Sequence, residues 1–188
     1  MTPRHQLSDR PLGRVFAAVP LPPEIRMALA DRTSVLGIPG KLVPPENWHL
    51  TLRFLGVVDE VTYERFLAGM SGVEGVSPFP IRLGSLGGFP NERRATVLWV
   101  DVIEGVETLG RLNEIAEEAA RAAGLEPEER PYQPHLTLSR IRPPEDIGPL
   151  TSEKLDLRWS CNEILVYESR FNGGGVRYEP LESFTFFG

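Results

Sequence analysis

The tetrapeptide His49-Leu50-Thr51-Leu52 returns letter for letter as His135-Leu136-Thr137-Leu138, about half the chain later. Both copies sit in runs of strand-forming residues and hold the only histidines outside the polar start of the chain. Four matching letters carry little by themselves; the residue types carry more. Successive side chains of a strand point to opposite faces, so Leu50 and Leu52 enter a core while His49 and Thr51 project together on the other side. The same holds for Leu136 and Leu138 against His135 and Thr137. A repeat at this separation predicts two lobes of similar plan, related by an approximate two-fold, with two His/Thr pairs facing one another across a cleft.

The flanking sequence fills in an α+β chain. Arg14 to Val19 reads as a strand ended by prolines, and Pro22 and Pro23 suit the start of a helix with Ile25, Leu29 and Val35 toward one face before Gly37 and Gly40. Trp48 to Leu55 is the first motif strand. Asp59 can cap a helix running to about Met70, with Val61, Phe66, Leu67 and Met70 on its apolar side. Strands follow at Phe79 to Leu86 and Ala95 to Val102. The clearest helix runs from Glu107 to Ala123, apolar at Leu109, Leu112, Ile115, Ala116, Ala119 and Ala123 and stopped by Gly124. The second motif strand, His135 to Ile141, precedes a loop through Leu150. Two closing strands are expected near Ser160 to Ser169 and Tyr178 to Phe187, joined at Gly173-Gly174-Gly175. Hairpin-like pairing argues for two antiparallel β-sheets flanking a central cleft, with helices outside, rather than a parallel doubly wound sheet. Residues 1–12, His5 among them, read as a flexible tail, and 13–188 as one bilobal domain.

Composition narrows the function. A net charge of −6 over 188 residues argues against a protein that binds nucleic acid non-specifically, though not against a locally basic pocket. Cys161 is the only cysteine, which excludes an internal disulfide or a thiolate metal cluster. No apolar run is long enough to span a bilayer and Met1 to Arg10 is polar, so a cytoplasmic protein, monomeric and away from membranes, is expected.

Two histidines on opposite sides of a phosphodiester suit one chemistry well. With a pKa near 6.5, one imidazole can take a proton from an attacking water while the other gives one to the departing alkoxide. The threonine hydroxyls can donate to the non-bridging oxygens. No carboxylate lies at ligand spacing from either histidine, and no Gly-x-Ser-x-Gly elbow occurs, so neither a metal, a cofactor nor a serine triad is expected.

Further segments extend the pattern: Arg14-Val15-Phe16-Ala17 with Pro20 to Pro23, Val43 to Trp48 ahead of the first motif, and Phe54-Leu55-Gly56 after it. Gly88-Phe89-Pro90-Asn91 with Arg93 and Arg94, Val97-Leu98-Trp99, Pro134 and Arg140 belong with them. Over residues 13–188 the chain resembles the two-histidine phosphoesterases, specifically the bacterial and archaeal RNA 2′,3′-cyclic phosphodiesterases once called 2′-5′ RNA ligases. The resemblance implies hydrolysis of a terminal 2′,3′-cyclic phosphate, on RNA ends such as tRNA fragments or on a cyclic nucleotide, to a 2′-phosphomonoester. It also implies that His49 is the proton donor and His135 the proton acceptor, and that the reverse reaction with an RNA 5′-hydroxyl would give 2′-5′ ligation.

Parity leaves the arginines open. Arg53 lies four residues after His49 and so on its face, whereas Arg140 falls on the leucine face unless the strand bulges or twists; both are candidate substrate contacts. Trp48 and Phe54 have core-face parity and read as packing residues. Two rivals stand beside the main reading: a phosphodiesterase for small cyclic nucleotides or 2′-5′ oligonucleotides, and a non-catalytic RNA-binding module that stacks bases.

Overall fold

The computed structural model describes residues 12–188. The tail assigned to 1–12 therefore lies outside the described residues except at its end, where Leu12 is buried in the core. The next residue, Gly13, donates its N–H to the buried Glu168 carboxylate at 2.6 Å.

Nine strands and three α-helices are formed by the described residues. The strands are β1 (Arg14–Pro20), β2 (Lys41–Leu42), β3 (His49–Val57), β4 (Phe79–Phe89), β5 (Ala95–Glu104), β6 (His135–Glu145), β7 (Arg158–Cys161), β8 (Glu163–Phe171) and β9 (Val176–Thr185). The helices are α1 (Pro23–Ser34), α2 (Glu60–Gly69) and α3 (Val106–Ala122). The strand order is β7-β4-β5-β6-β3-β1-β8-β9, with the short β2 also on β6, and every pairing is antiparallel.

The two expected sheets are the halves of this array. They join only where β3 meets β6, at the single pair Leu50 and Leu136, the residue after each histidine. Outward from that pair the order is β3-β1-β8-β9 on one side and β6-β5-β4-β7 on the other, which is the two-fold that the repeat predicts. Both leucines are fully buried, so the motif leucines tie the halves together and the histidines face the opposite side.

Local chemistry sets the helices. Asp59 accepts the Thr62 N–H at 2.8 Å and so caps α2, leaving Tyr63 and Phe66 buried. Val61, expected on the apolar side, is instead exposed at the solvent edge of the first turn. On α3 the side chains of Leu109, Leu112, Ala116, Ala119 and Ala120 are buried at helical spacing, and Gly124, at φ +93°, ends the run. Each leucine so buried stabilises the fold by about 1.5–3 kcal/mol. A Cβ on Gly69 would lie 2.7 Å from that of Ala119, so this glycine allows α2 and α3 to touch. In α1, Ile25 and Leu29 are buried, whereas Val35 lies past the last turn and is exposed.

One expected strand divides. Residues near Ser160 to Ser169 form β7 and β8, parted at Asn162, because β7 completes one half by pairing with β4 while β8 crosses to pair with β1 in the other. Cys161, at the end of β7, is buried, and burial pushes its thiol up to about 12, which makes it an inert strand residue.

Candidate active site

The line where β3 meets β6 opens on its histidine side into a cleft of 560 Å³. His49 and Thr51 from β3 and His135 and Thr137 from β6 all line it, so the four motif side chains converge as strand parity predicts.

Each imidazole is held in the same way. Nδ1 of His49 lies 2.7 Å from the Asn47 carbonyl, and Nδ1 of His135 lies 2.7 Å from the Gln133 carbonyl, in both cases two residues back along the chain. A carbonyl can only accept, so Nδ1 carries the proton in both rings and Nε2 is left as the working nitrogen. Nε2 of His49 is 3.0 Å from Thr51 Oγ1, whose hydroxyl can donate to it in the neutral ring. Asn47 is itself fixed, its side-chain amide donating to the Val176 carbonyl at 2.7 Å.

The two rings differ in their surroundings. His49 packs against Phe16 at 4.9 Å and edge-on to Tyr178 at 5.2 Å, with Tyr167 stacked on Phe16 behind. Burial lowers its pKa to about 4, opposed by the hydrogen bond to Asn47 and assisted by the nearby His135. His135 meets Phe89 edge-on at 5.2 Å and Trp99 at 6.1 Å.

Charge in the cleft runs against that of the whole chain. Among the described residues, Arg14, Arg130 and Arg140 line it and no carboxylate does, in a protein of net charge −6. Cations without counter-charges in a concave site attract an anion.

The family model described as LigT-like phosphoesterase matches residues 19–99 and 103–178. The chain belongs to this family. Among its relatives is the RNA 2′,3′-cyclic phosphodiesterase of Thermus thermophilus, 35% identical over 188 aligned residues that span 92% of this chain and 89% of that protein. The Bacillus subtilis protein of the same name is 33% identical over 84% of each chain. A crystal structure of Escherichia coli LigT complexed with 3′-AMP superposes with a TM-score of 0.77 at 26% identity, covering 95% of this chain and all of that one.

In this LigT-like phosphoesterase the two arginines named from sequence occupy opposite faces, the reverse of simple parity. On β3, Ala18 pairs with Thr51 and Ala17 with Arg53, so Leu52 is an extra residue; on β6, Trp99 pairs with Thr137 and Leu98 with Ser139, so Leu138 is extra. Each is a β-bulge, and each flips the parity of the residues beyond it. Arg53 is consequently turned away from the cleft and buried, contacting Glu117 of α3 at 2.5 Å and donating to the Glu126 carbonyl at 2.5 Å. It does not touch the site. Phe54, expected in the core, lines the cleft and is more than half exposed. Arg140 lines the cleft too, on the bulge that its position required. Trp48 is buried, a packing residue as its parity implied.

Both bulges are supported from outside the strand pair. A bulge leaves a carbonyl off the ladder; Asn113 of α3 donates to that of Leu52 at 2.8 Å, and the Val43 N–H to that of Leu138 at 2.8 Å. Arg14, Arg130, Phe89 and Tyr178 were not singled out as site residues from sequence. Neither Arg130 nor Tyr178 had a local signal, since Arg130 lies in the loop ahead of β6, where strand parity does not apply, and β9 reaches the cleft only through the strand order.

Proposed function

We propose that the protein hydrolyses 2′,3′-cyclic phosphate ends of RNA to 2′-phosphomonoesters by two-histidine acid–base catalysis. The observation that carries this reading is the pair of imidazoles with Nδ1 tied to backbone carbonyls in a cleft lined, among the described residues, by three arginines and no carboxylate. Such a cleft accepts a phosphodiester anion between two nitrogens that can each hold or release one proton.

In this scheme His135 Nε2 takes a proton from water as its oxygen bonds to phosphorus. The bond from phosphorus to O3′ breaks, and O3′ takes the proton carried on His49 Nε2. Thr51 and Thr137 donate to the non-bridging oxygens, and Arg140, with a planar fork of donors, meets the same phosphate. In the free protein His49 is neutral at pH 7, because burial holds its pKa near 4. A bound phosphodiester supplies the negative charge that favours the imidazolium, so the acid is charged by the substrate it acts on. The names of the relatives support the substrate class. Reversal with an RNA 5′-hydroxyl in place of water would make a 2′-5′ linkage at the same site.

The test is a product assay on a cyclic-ended oligonucleotide. A 2′-phosphomonoester should appear with the wild type, and His49→Ala and His135→Ala should each lower kcat by at least about a hundredfold with the fold intact by circular dichroism. Near wild-type turnover in either variant, or a 3′-phosphate product, would overturn the scheme.

A further inference from the structure

The two halves of the molecule are alike in strand order and unlike in what stands beside the histidines. In the His49 half, Phe16 of β1 pairs in register with Tyr167 of β8, and the rings stack at 5.4 Å. With Tyr178 they fill the cleft face of that half. In the His135 half the equivalent strands are β5 and β4; there Val97 and Phe89 stand where Phe16 and Tyr167 do, and Trp99, which pairs in register with Gly87, stands where Ala18, paired with Leu165, does. The side chain of Leu165 has no counterpart at Gly87. A Cβ on Gly87 would lie 2.6 Å from the Trp99 ring, so the indole rests directly on the glycine backbone. What remains is an open basin of 790 Å³ next to the cleft, with Trp99, Ser85, Asn91, Arg93 and Thr151 among its walls.

Cleft and basin share one wall. Phe89 and Val97 line the cleft, and their neighbours on the same strands, Gly88 and Trp99, line the basin; Phe89 and Trp99 are 5.0 Å apart. Arg93 is exposed and has no ion-pair partner among the described residues. Two acids also line the basin. Asp101 accepts the Ser85 N–H, and Glu92 opposes an anion, so the basin is suited to an aromatic ring with one phosphate at its Arg93 rim rather than to a free anion.

We propose that this basin binds the nucleotide immediately 5′ of the cyclic phosphate end, its base stacked on Trp99 and its phosphate met by Arg93. The proposal rests on the reaction given above and specifies its substrate as an RNA chain rather than a mononucleotide. A terminal nucleoside whose cyclic phosphate lies between the histidines continues only through its 5′ oxygen. On the His49 side the position equivalent to Trp99 is Ala18, covered by Leu165, whereas on the His135 side the indole of Trp99 lies over Gly87 and gives a base a ring to stack on. Stacking of single-stranded bases on aromatic side chains is tolerant of sequence, so the basin would favour chain length over base identity.

The experiment compares kcat/KM for 2′,3′-cyclic AMP with that for a dinucleotide ending in the same group, in the wild type, in Arg93→Glu and in Thr151→Trp, which fills the basin. The wild type should prefer the dinucleotide by roughly tenfold or more, about the effect of one stacked base. Both variants should lose most of that preference while cleaving the mononucleotide within about twofold of the wild type. An unchanged preference in both variants, or an equal loss on both substrates, overturns the proposal. If the wild type cleaves neither substrate, the reaction itself is wrong. The basin is then judged by tryptophan fluorescence titration with 3′-AMP and with a dinucleotide 3′-phosphate. Tighter binding of the dinucleotide, lost in both variants, supports the basin, and equal affinities overturn it.

Discussion

Replacing Arg53 by methionine should unfold the protein more easily and leave its chemistry alone. The guanidinium contacts the Glu117 carboxylate at 2.5 Å, donates to the Glu126 carbonyl at 2.5 Å and to the Phe54 carbonyl, and reaches Glu128 at 3.4 Å. Arg53 is 7% exposed and Glu117 21%, whereas Glu128 is 53% exposed and adds little. Methionine fills most of the volume but leaves Glu117 without its cation and the Glu126 carbonyl without a donor. Breaking one side of a buried pair costs about 3–5 kcal/mol, and the partial exposure of Glu117 puts this one near 3. For a domain of this size that lowers Tm by roughly 6–12 °C. The double variant Arg53→Met/Glu117→Leu should recover more than half of the loss, because it removes both charges together. Thermal unfolding followed by circular dichroism gives Tm, and kcat/KM on a cyclic-ended oligonucleotide at 25 °C should stay within about twofold of the wild type. A Tm shift under about 2 °C joined to a tenfold loss of kcat/KM would refute the reasoning and return Arg53 to the substrate.

Arg140→Ala should act in the opposite sense, lowering kcat/KM roughly 30-fold through loss of about 2 kcal/mol of charge-assisted hydrogen bonding, with Tm unchanged. Arg140→Lys should restore only part of it, because an ammonium cannot make the paired contact. His49 should make the fold acid-sensitive: its folded pKa of about 4 lies below the ordinary 6.5, so stability is full above 6.5 and falls as pH drops toward 4, by up to about 3 kcal/mol. Urea midpoints should therefore fall more steeply over that interval in the wild type than in His49→Gln. EDTA should not change the rate, since no carboxylate among the described residues lines the cleft, and thiol reagents should not inhibit, since Cys161 is buried with its thiol held protonated.

How much of this was legible in the sequence depends on the range of the interactions involved. Asp59 as a cap, Gly124 as a stop and the apolar spacing of α3 are local, and each formed close to where expected. The His/Thr pairs were legible because strand parity holds over the two residues that separate them. It fails just beyond Leu52 and Leu138, where one inserted residue reverses the assignments of Arg53 and Phe54 and of Ser139 and Arg140. Nothing in Leu52-Arg53-Phe54 marks the insertion; its cause lies in the partners that take the freed carbonyls, Asn113 on α3 and Val43 ahead of β3. The division of β7 from β8 was hidden for a similar reason, since it depends on which half of the sheet each strand joins.

The paired bulges also bear on why the motif strands are built as they are. A regular strand would turn Arg140 into the core beside Leu138, where an unpaired guanidinium is costly, and would leave the cleft without that cation. The bulge at Leu138 instead buries Ser139, whose hydroxyl donates to the Pro39 carbonyl, and frees Arg140 for the cleft. The same device at Leu52 sends the arginine of β3 inward to an ion pair and brings Phe54 outward. One geometry therefore turns Arg140 into the cleft on the His135 strand and, on the His49 strand, sets Phe54 5.7 Å from Phe16, which with Tyr178 packs on His49; burial there lowers its pKa to about 4. Under the proposed scheme, two histidines with the same four-letter surroundings would take opposite roles because their environments differ: packed aromatic rings around His49, and an arginine that the bulge turns into the cleft on the His135 strand.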